Sequence, residues 1–188
     1  MNLPSARRTR VGPLAAQHRP RISGILGATG VFRTEEIGVA LELFDETFSR
    51  DGRVSSTDDE ADYAFVGAFT PDDELIGYAC YGPTPDTDRT WDLYWIAVDP
   101  QAQGSGGGTL LLSEVERRLT QFDARMLVVE TSSRAEYEPT RAFYQKRGYE
   151  EAARTREFYA PGDDRVVFTK RLREYSTRLT GGERCINE

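Results

Sequence analysis

Residues 98–112, Val-Asp-Pro-Gln-Ala-Gln-Gly-Ser-Gly-Gly-Gly-Thr-Leu-Leu-Leu, constrain this chain more than any other stretch. The apolar run from Leu93 to Val98 reads as a strand. The segment from about Gly108 to Gln121 reads as an amphipathic helix with Leu111, Leu112, Val115 and Leu119 on one side. Between them Gly104, Gly106, Gly107 and Gly108 strip side chains from a loop at a helix N-terminus. Unpaired amides and the positive end of the helix dipole then point the same way, which makes a seat for phosphate or pyrophosphate. A merely structural turn needs glycine for positive φ at one or two positions. Four glycines argue for a ligand.

The chain of 188 residues is long enough for one domain with a sizeable core. A net charge of −7 argues against a general nucleic-acid binder, which needs a basic surface to displace counterions. No apolar run approaches the roughly 20 residues that span a membrane. The segment from Met1 to Arg21 lacks the apolar core of a secretory signal, so a cytoplasmic protein is expected. Cys80 and Cys185 make no disulfide framework, and with a single histidine a zinc site is not expected.

Along the chain, a short first strand is expected near Thr9 to Leu14, then a helix from about Arg21 to Ala28. Thr34, Glu35 and Glu36 open a second helix, in which Ile37, Ala40, Leu41, Phe44 and Phe48 recur at helical spacing. Gly52 opens a polar loop through Asp62. Tyr63 to Phe69 and Leu75 to Tyr81 form a hairpin about Pro71-Asp72-Asp73-Glu74, and Trp91 to Val98 is a third strand. Met126 to Val129 reads as a strand covered on both faces. A helix from Pro139 to Arg147 stops at Gly148, and strands at Tyr149 to Tyr159 and Arg165 to Leu172 close the order β-α-α-β-β-β-α-β-α-β-β. Hairpins with one crossover helix give a mixed sheet.

Three phosphate motifs compete for the glycine loop. A Walker loop needs lysine after the turn, and the first lysine of the chain is Lys146. A dinucleotide fingerprint would need glycine where Thr109 stands, on a strand early in a βαβ series. The third, Q/R-x-x-G-x-G/A, is met by Gln103, Gly104, Ser105, Gly106, Gly107 and Gly108. Here the chain resembles the GNAT superfamily of acyl-CoA-dependent N-acetyltransferases. Ile96-Ala97-Val98-Asp99-Pro100 before the loop, Phe143-Tyr144-Gln145-Lys146-Arg147-Gly148-Tyr149 and the closing Val166 to Leu172 are similar to that family's motifs, in order and at its spacing.

The resemblance implies an α/β fold with a mixed, splayed sheet of about six to seven strands and helices on both faces. It implies an extension at 1–8, an acetyltransferase domain at 9–173 and a tail at 174–188. Acetyl-CoA is the implied co-substrate, with no metal. Its pyrophosphate would lie on the amides of Gln103 to Gly108, with Thr109 as a hydroxyl donor. Its pantetheine would pair with the backbone of Ile96, Ala97 and Val98. The other implied partner is an amine acceptor, of a small molecule or amino-acid-like compound, and a homodimer is expected by analogy. A non-catalytic acyl-CoA-binding module is the competing class.

Tyr144 holds the family's general-acid position. Asp92, six residues before Val98, is a base candidate that on a regular strand shares a face with Tyr94, Ile96 and Val98; it reads equally as a charged strand start. Glu130 is a second base or amine-recognition candidate, or equally a solvated strand end. Tyr137 stands where many relatives carry a cofactor-contacting asparagine, so an acceptor-pocket role is open to it. Trp91, Trp95, Phe32 and Tyr81 are aromatic candidates for the same pocket.

Overall fold

Pro71, Asp72 and Asp73 turn the chain as their residue types dictate: Asp73 adopts φ 65°, and Thr70 and Glu74 close the turn with a 2.8 Å backbone bond. The hairpin so made is the centre from which the rest is built. The computed structural model describes residues 9–49 and 63–173. The elements are β1 (Arg10–Gly12), α1 (Arg19–Thr29), α2 (Thr34–Ser49), β2 (Ala64–Phe69), β3 (Leu75–Pro83), β4 (Thr90–Val98), α3 (Gly107–Gln121), β5 (Met126–Ser132), α4 (Glu138–Gln145), β6 (Glu150–Ala160) and β7 (Asp163–Arg171). This is the expected order. The expected extension at 1–8, the loop from Gly52 through Asp62 and the tail at 174–188 lie outside the described residues.

The strands form one seven-stranded sheet in the order β1-β2-β3-β4-β5-β7-β6. Neighbours are antiparallel except β4 and β5, which α3 connects as a crossover. Helical spacing decides which faces are covered. On one face α1 and α2 bring Ile22, Ile25, Leu26, Ala40 and Phe44 onto Phe65, Tyr78, Cys80 and Ala97. On the other, α3 brings Leu111, Leu112, Val115 and Leu119 onto Val66, Leu93, Leu127 and Phe168. Fully buried leucines such as Leu119 are each worth about 2–5 kcal/mol against alanine.

The parallel pair opens part-way. β4 and β5 are in register only from Thr90↔Met126 to Leu93↔Val129, yet β4 runs on to Val98 and β5 to Ser132. Beyond Leu93 each strand follows its other neighbour. Val98 stays opposite Gly77 of β3, and Ser132 stays opposite Arg165 of β7. Arg141 of α4 also holds the end of β5, donating to the carbonyl of Ser132 at 2.7 Å. The sheet is therefore splayed, and the inner backbone edges of both strands face a gap. The run from Met126 to Val129 is not covered on both faces: Leu127 and Val129 enter the core, whereas Val128 is half-buried on the wall of a cavity.

Candidate active site

The loop after β4 is held from behind. Asp99, nearly buried, accepts from Gln101 N–H at 2.8 Å and from Arg21 of α1 at 2.6 Å, and its own amide donates to Ile76 O at 2.8 Å. The Gln101 amide and the Arg21 guanidinium hold its carboxyl below the usual aspartate value. Gly104 and Gly106 take φ 82° and 85°, so these two glycines make the turn. Gly107 and Gly108 do not have positive φ, and a Cβ there would meet only ordinary contacts, such as Val98 and Phe143 at 3.6 Å from Gly108. Neither turn nor packing requires them. What their bareness leaves open is the floor of a cavity of about 700 Å³ that runs through the β4–β5 gap. The first intrahelical bond of α3 is Leu110 N–H to Gly106 O, so the amides of Gly108 and Thr109 precede the ladder.

Ile96, Ala97 and Val98 form one wall of this cleft, and Gln103, Gly104, Gly106, Gly107, Gly108 and Thr109 line its loop end. Ser105 does not line it; its hydroxyl accepts from the Gly107 amide at 3.4 Å. Thr109 is engaged from the far wall, where Arg147 donates to its hydroxyl. Arg147 also stacks its guanidinium 3.6 Å from the centroid of the Phe143 ring and donates to Phe143 O at 2.9 Å, while its Nε is buried without a partner. The F-Y-x-K-x-G pattern drew attention to Tyr144 and passed over this arginine, whose signal would have been a guanidinium one turn beyond an aromatic residue on the helix facing the glycine loop.

Tyr144 sits on α4 at the other side of the cleft. It is 2% exposed and packs against Phe143, Tyr149 and Phe168, with ring centroids 5.4, 5.5 and 6.1 Å away. Burial pushes its phenol above the ordinary tyrosine value, so it stays protonated across the neutral range. Tyr137, just before α4, donates to Val31 O at 3.2 Å and thereby ties α4 to the link between α1 and α2.

A second cavity, of about 390 Å³, joins the cleft at Phe32, Tyr94, Trp95, Glu130, Thr131 and Tyr137. Phe32, Trp95 and Tyr137 thus sit where an acceptor pocket needs aromatic walls, while Trp91 and Tyr81 pack together in the core. Glu130 lines both cavities; Asp92 lines only the second. The expected common face of Asp92 with Ile96 and Val98 does not exist. Cys80 pairs with Trp95 and Tyr81 with Leu93, so Tyr94 is an extra, bulged residue that reverses the alternation. Ile96 and Val98 pack with the α3 core, whereas Asp92 lies on the other face and accepts from the Thr84 hydroxyl at 2.7 Å. Tyr159 and Asp163 from the β6–β7 hairpin complete this cavity, and neither was visible as a site residue in the sequence. Asp163, nearly buried, accepts from Ser132 Oγ at 2.5 Å and pairs with Arg134 at 3.5 Å. Among the described residues, no group of three or more His, Cys, Asp or Glu could hold a metal ion, and no helix is long and apolar enough to cross a membrane.

A splayed mixed sheet with a glycine loop at the mouth of the gap has well-defined relatives. Residues 34–149 match the acetyltransferase (GNAT) family. A structure from Desulfovibrio desulfuricans described as a GNAT-family acetyltransferase is 40% identical, with a TM-score of 0.78, over 89% of this chain and 100% of that one. The ribosomal-protein-S18-alanine N-acetyltransferase of Escherichia coli shares the fold at 19% identity and a TM-score of 0.69, over 91% and 98% of the two chains. An acetyltransferase structure from Salmonella typhimurium with its cofactor acetyl-CoA does so at 17% and 0.67, over 89% and 96%. The comparison with curated proteins found no match. The chain belongs to the GNAT family and is an acetyltransferase of that family.

Proposed function

We propose that this protein transfers an acetyl group from acetyl-CoA to a primary amine of a small-molecule or amino-acid-like acceptor by direct attack. The observation that carries this reading is the continuity of the two cavities at Glu130, Thr131 and Tyr137, one reached from a phosphate-binding loop and the other lined with carboxylates and aromatic rings.

The residues present fit an acyl-CoA. The amides of Gly108 and Thr109 and the α3 dipole suit its pyrophosphate, as does the cationic Arg147 with its unpartnered Nε. The β4 edge from Tyr94 to Val98, which β5 has left, offers hydrogen-bonding groups to the pantetheine amides in the manner of an added strand. When bound, the cofactor supplies the acetyl group as an activated thioester. Glu130, which alone of the two candidate carboxylates borders both cavities, takes the proton that the amine gives up as its nitrogen bonds to the acetyl carbon. Tyr144 gives its proton to the sulfur as the carbon–sulfur bond breaks. Burial keeps the phenol protonated at neutral pH, so the proton is present when the thiolate departs. Asp92 lies outside the cofactor cleft and serves the acceptor. The second expectation for such a fold, a module that binds acyl-CoA without catalysis, leaves the carboxylate-lined second cavity without a use.

The test is Tyr144→Phe, assayed by thiol release. Loss of a general acid should lower kcat by about a hundredfold or more, with acetyl-CoA affinity by calorimetry retained. An unchanged kcat removes Tyr144 from the chemistry; acetyl-CoA binding with no amine acetylated by the wild type favours the module.

A further inference from the structure

The acceptor cavity has a patterned floor. Asp92 of β4 stands opposite Val128 of β5, and Glu130 lies two residues further along β5 on the same face. Strand geometry puts Asp92 and Glu130 about 7 Å apart along the strand direction, with the apolar Val128 beside Asp92 on the neighbouring strand. From the cofactor cleft inward the floor is therefore Glu130, then Val128 and Asp92 side by side.

Charge points the same way. Four carboxylates line the cavity, Glu36, Asp92, Glu130 and Asp163, against the two guanidiniums of Arg33 and Arg134, and Glu130 also lies 3.6 Å from the Arg165 guanidinium. Arg134 is already committed to Asp163 and lies over the ring of Tyr137 at 5.3 Å. Asp92 has no ion pair among the described residues and accepts from the Thr84 hydroxyl. At the junction with the cleft stands Thr131, 5% exposed, whose hydroxyl has no hydrogen-bond partner. A buried hydroxyl without a partner, in a residue that lines both cavities, is an unmet hydrogen-bonding group at their junction.

We infer that the acceptor is a linear aliphatic diamine, with its reacting nitrogen beside Glu130 and Thr131, its methylenes over Val128 and its distal ammonium against Asp92. This rests on the acetyltransferase reading above and narrows it. A cation retained at the distal end meets a carboxylate that has no ion pair among the described residues, and a distal carboxylate in its place would be repelled by it.

The experiment compares, with the wild-type enzyme and acetyl-CoA, putrescine and cadaverine with butylamine and pentylamine, and with the ω-amino acids of the same chain lengths. The diamines should exceed the monoamines in kcat/KM by on the order of tenfold, with the amino acids lowest. Asp92→Asn should collapse the diamine advantage through KM, and Asp92→Glu should restore part of it. Should Asp92→Asn not fold, ionic strength serves: added salt should depress diamine kcat/KM more steeply than that of the monoamines. Monoamines as good as diamines, or amino acids better than both, would overturn the diamine assignment while leaving the acetyltransferase standing. Absence of thiol release with every amine, acetyl-CoA still binding, would remove both.

Discussion

Arg147 is the one lysine or arginine among the described residues lining the cofactor cleft, and its position is fixed before any ligand arrives. The Phe143 ring beneath it and the bonds to Phe143 O and Thr109 hold the guanidinium over the mouth of the glycine loop. A cation preorganised in this way loses little side-chain entropy on meeting a phosphate. Arg147→Gln should therefore raise the KM for acetyl-CoA about tenfold, the cost of one charge-assisted bond, with kcat changed far less. A KM that stays put under initial-rate conditions would show that the phosphates lie elsewhere. Tyr144 and the glycines were legible in the sequence because their spacing is a motif. Arg147, Tyr159 and Asp163 were not, since their roles depend on which strand ends and helix turns meet across the sheet.

At the scale of elements, α3 separates two demands made on its first turn. Glycine at position 108 costs the helix, because it has more freedom to lose than alanine, by roughly 0.5–1 kcal/mol. A methyl group there would meet Val98 and Phe143 at comfortable distances, yet both side chains belong to the wall of the cleft. Gly108→Ala is thus expected to move two measurements in opposite directions: thermal denaturation should show equal or greater stability of the free protein, and calorimetry should show weaker acetyl-CoA binding. Weaker binding together with a destabilised fold would mean that the glycine is structural after all. β4 shows the limit of reading by period. Its residues alternate correctly on either side of Tyr94, but one inserted residue reverses the faces, and no local signal distinguishes a bulged strand from a regular one of the same composition. That is why Asp92 is expected beside Ile96 and Val98, whereas it lies on the opposite face.

On the scale of the whole molecule, the single sheet opens where the β4–β5 pairing stops, at Leu93 and Val129. Element order and the mixed character of the sheet follow from the hairpin signals and the single crossover, but the splay itself is set by the partners each strand keeps, β3 for one and β7 for the other. Past that point, the backbone groups of β4 that face the gap lack β5 as a partner, and backbone amides without a protein partner exchange with solvent readily. A ligand that binds as an added strand must protect them. Hydrogen exchange with and without coenzyme A therefore has a defined expected pattern. Protection should rise on the order of tenfold or more for amides between Tyr94 and Val98 and at the start of α3, under ligand well above its dissociation constant. The β6–β7 hairpin, on the far side of β5, should change little, since none of its residues lines the cleft. Protection confined to that hairpin, with β4 unaffected, would place the cofactor outside the gap and undo the assignment of the cleft. Protection of β4 together with the loop would join the phosphate seat and the open strand edge in one binding event, as the continuity of the cleft from Gly108 to Tyr94 requires.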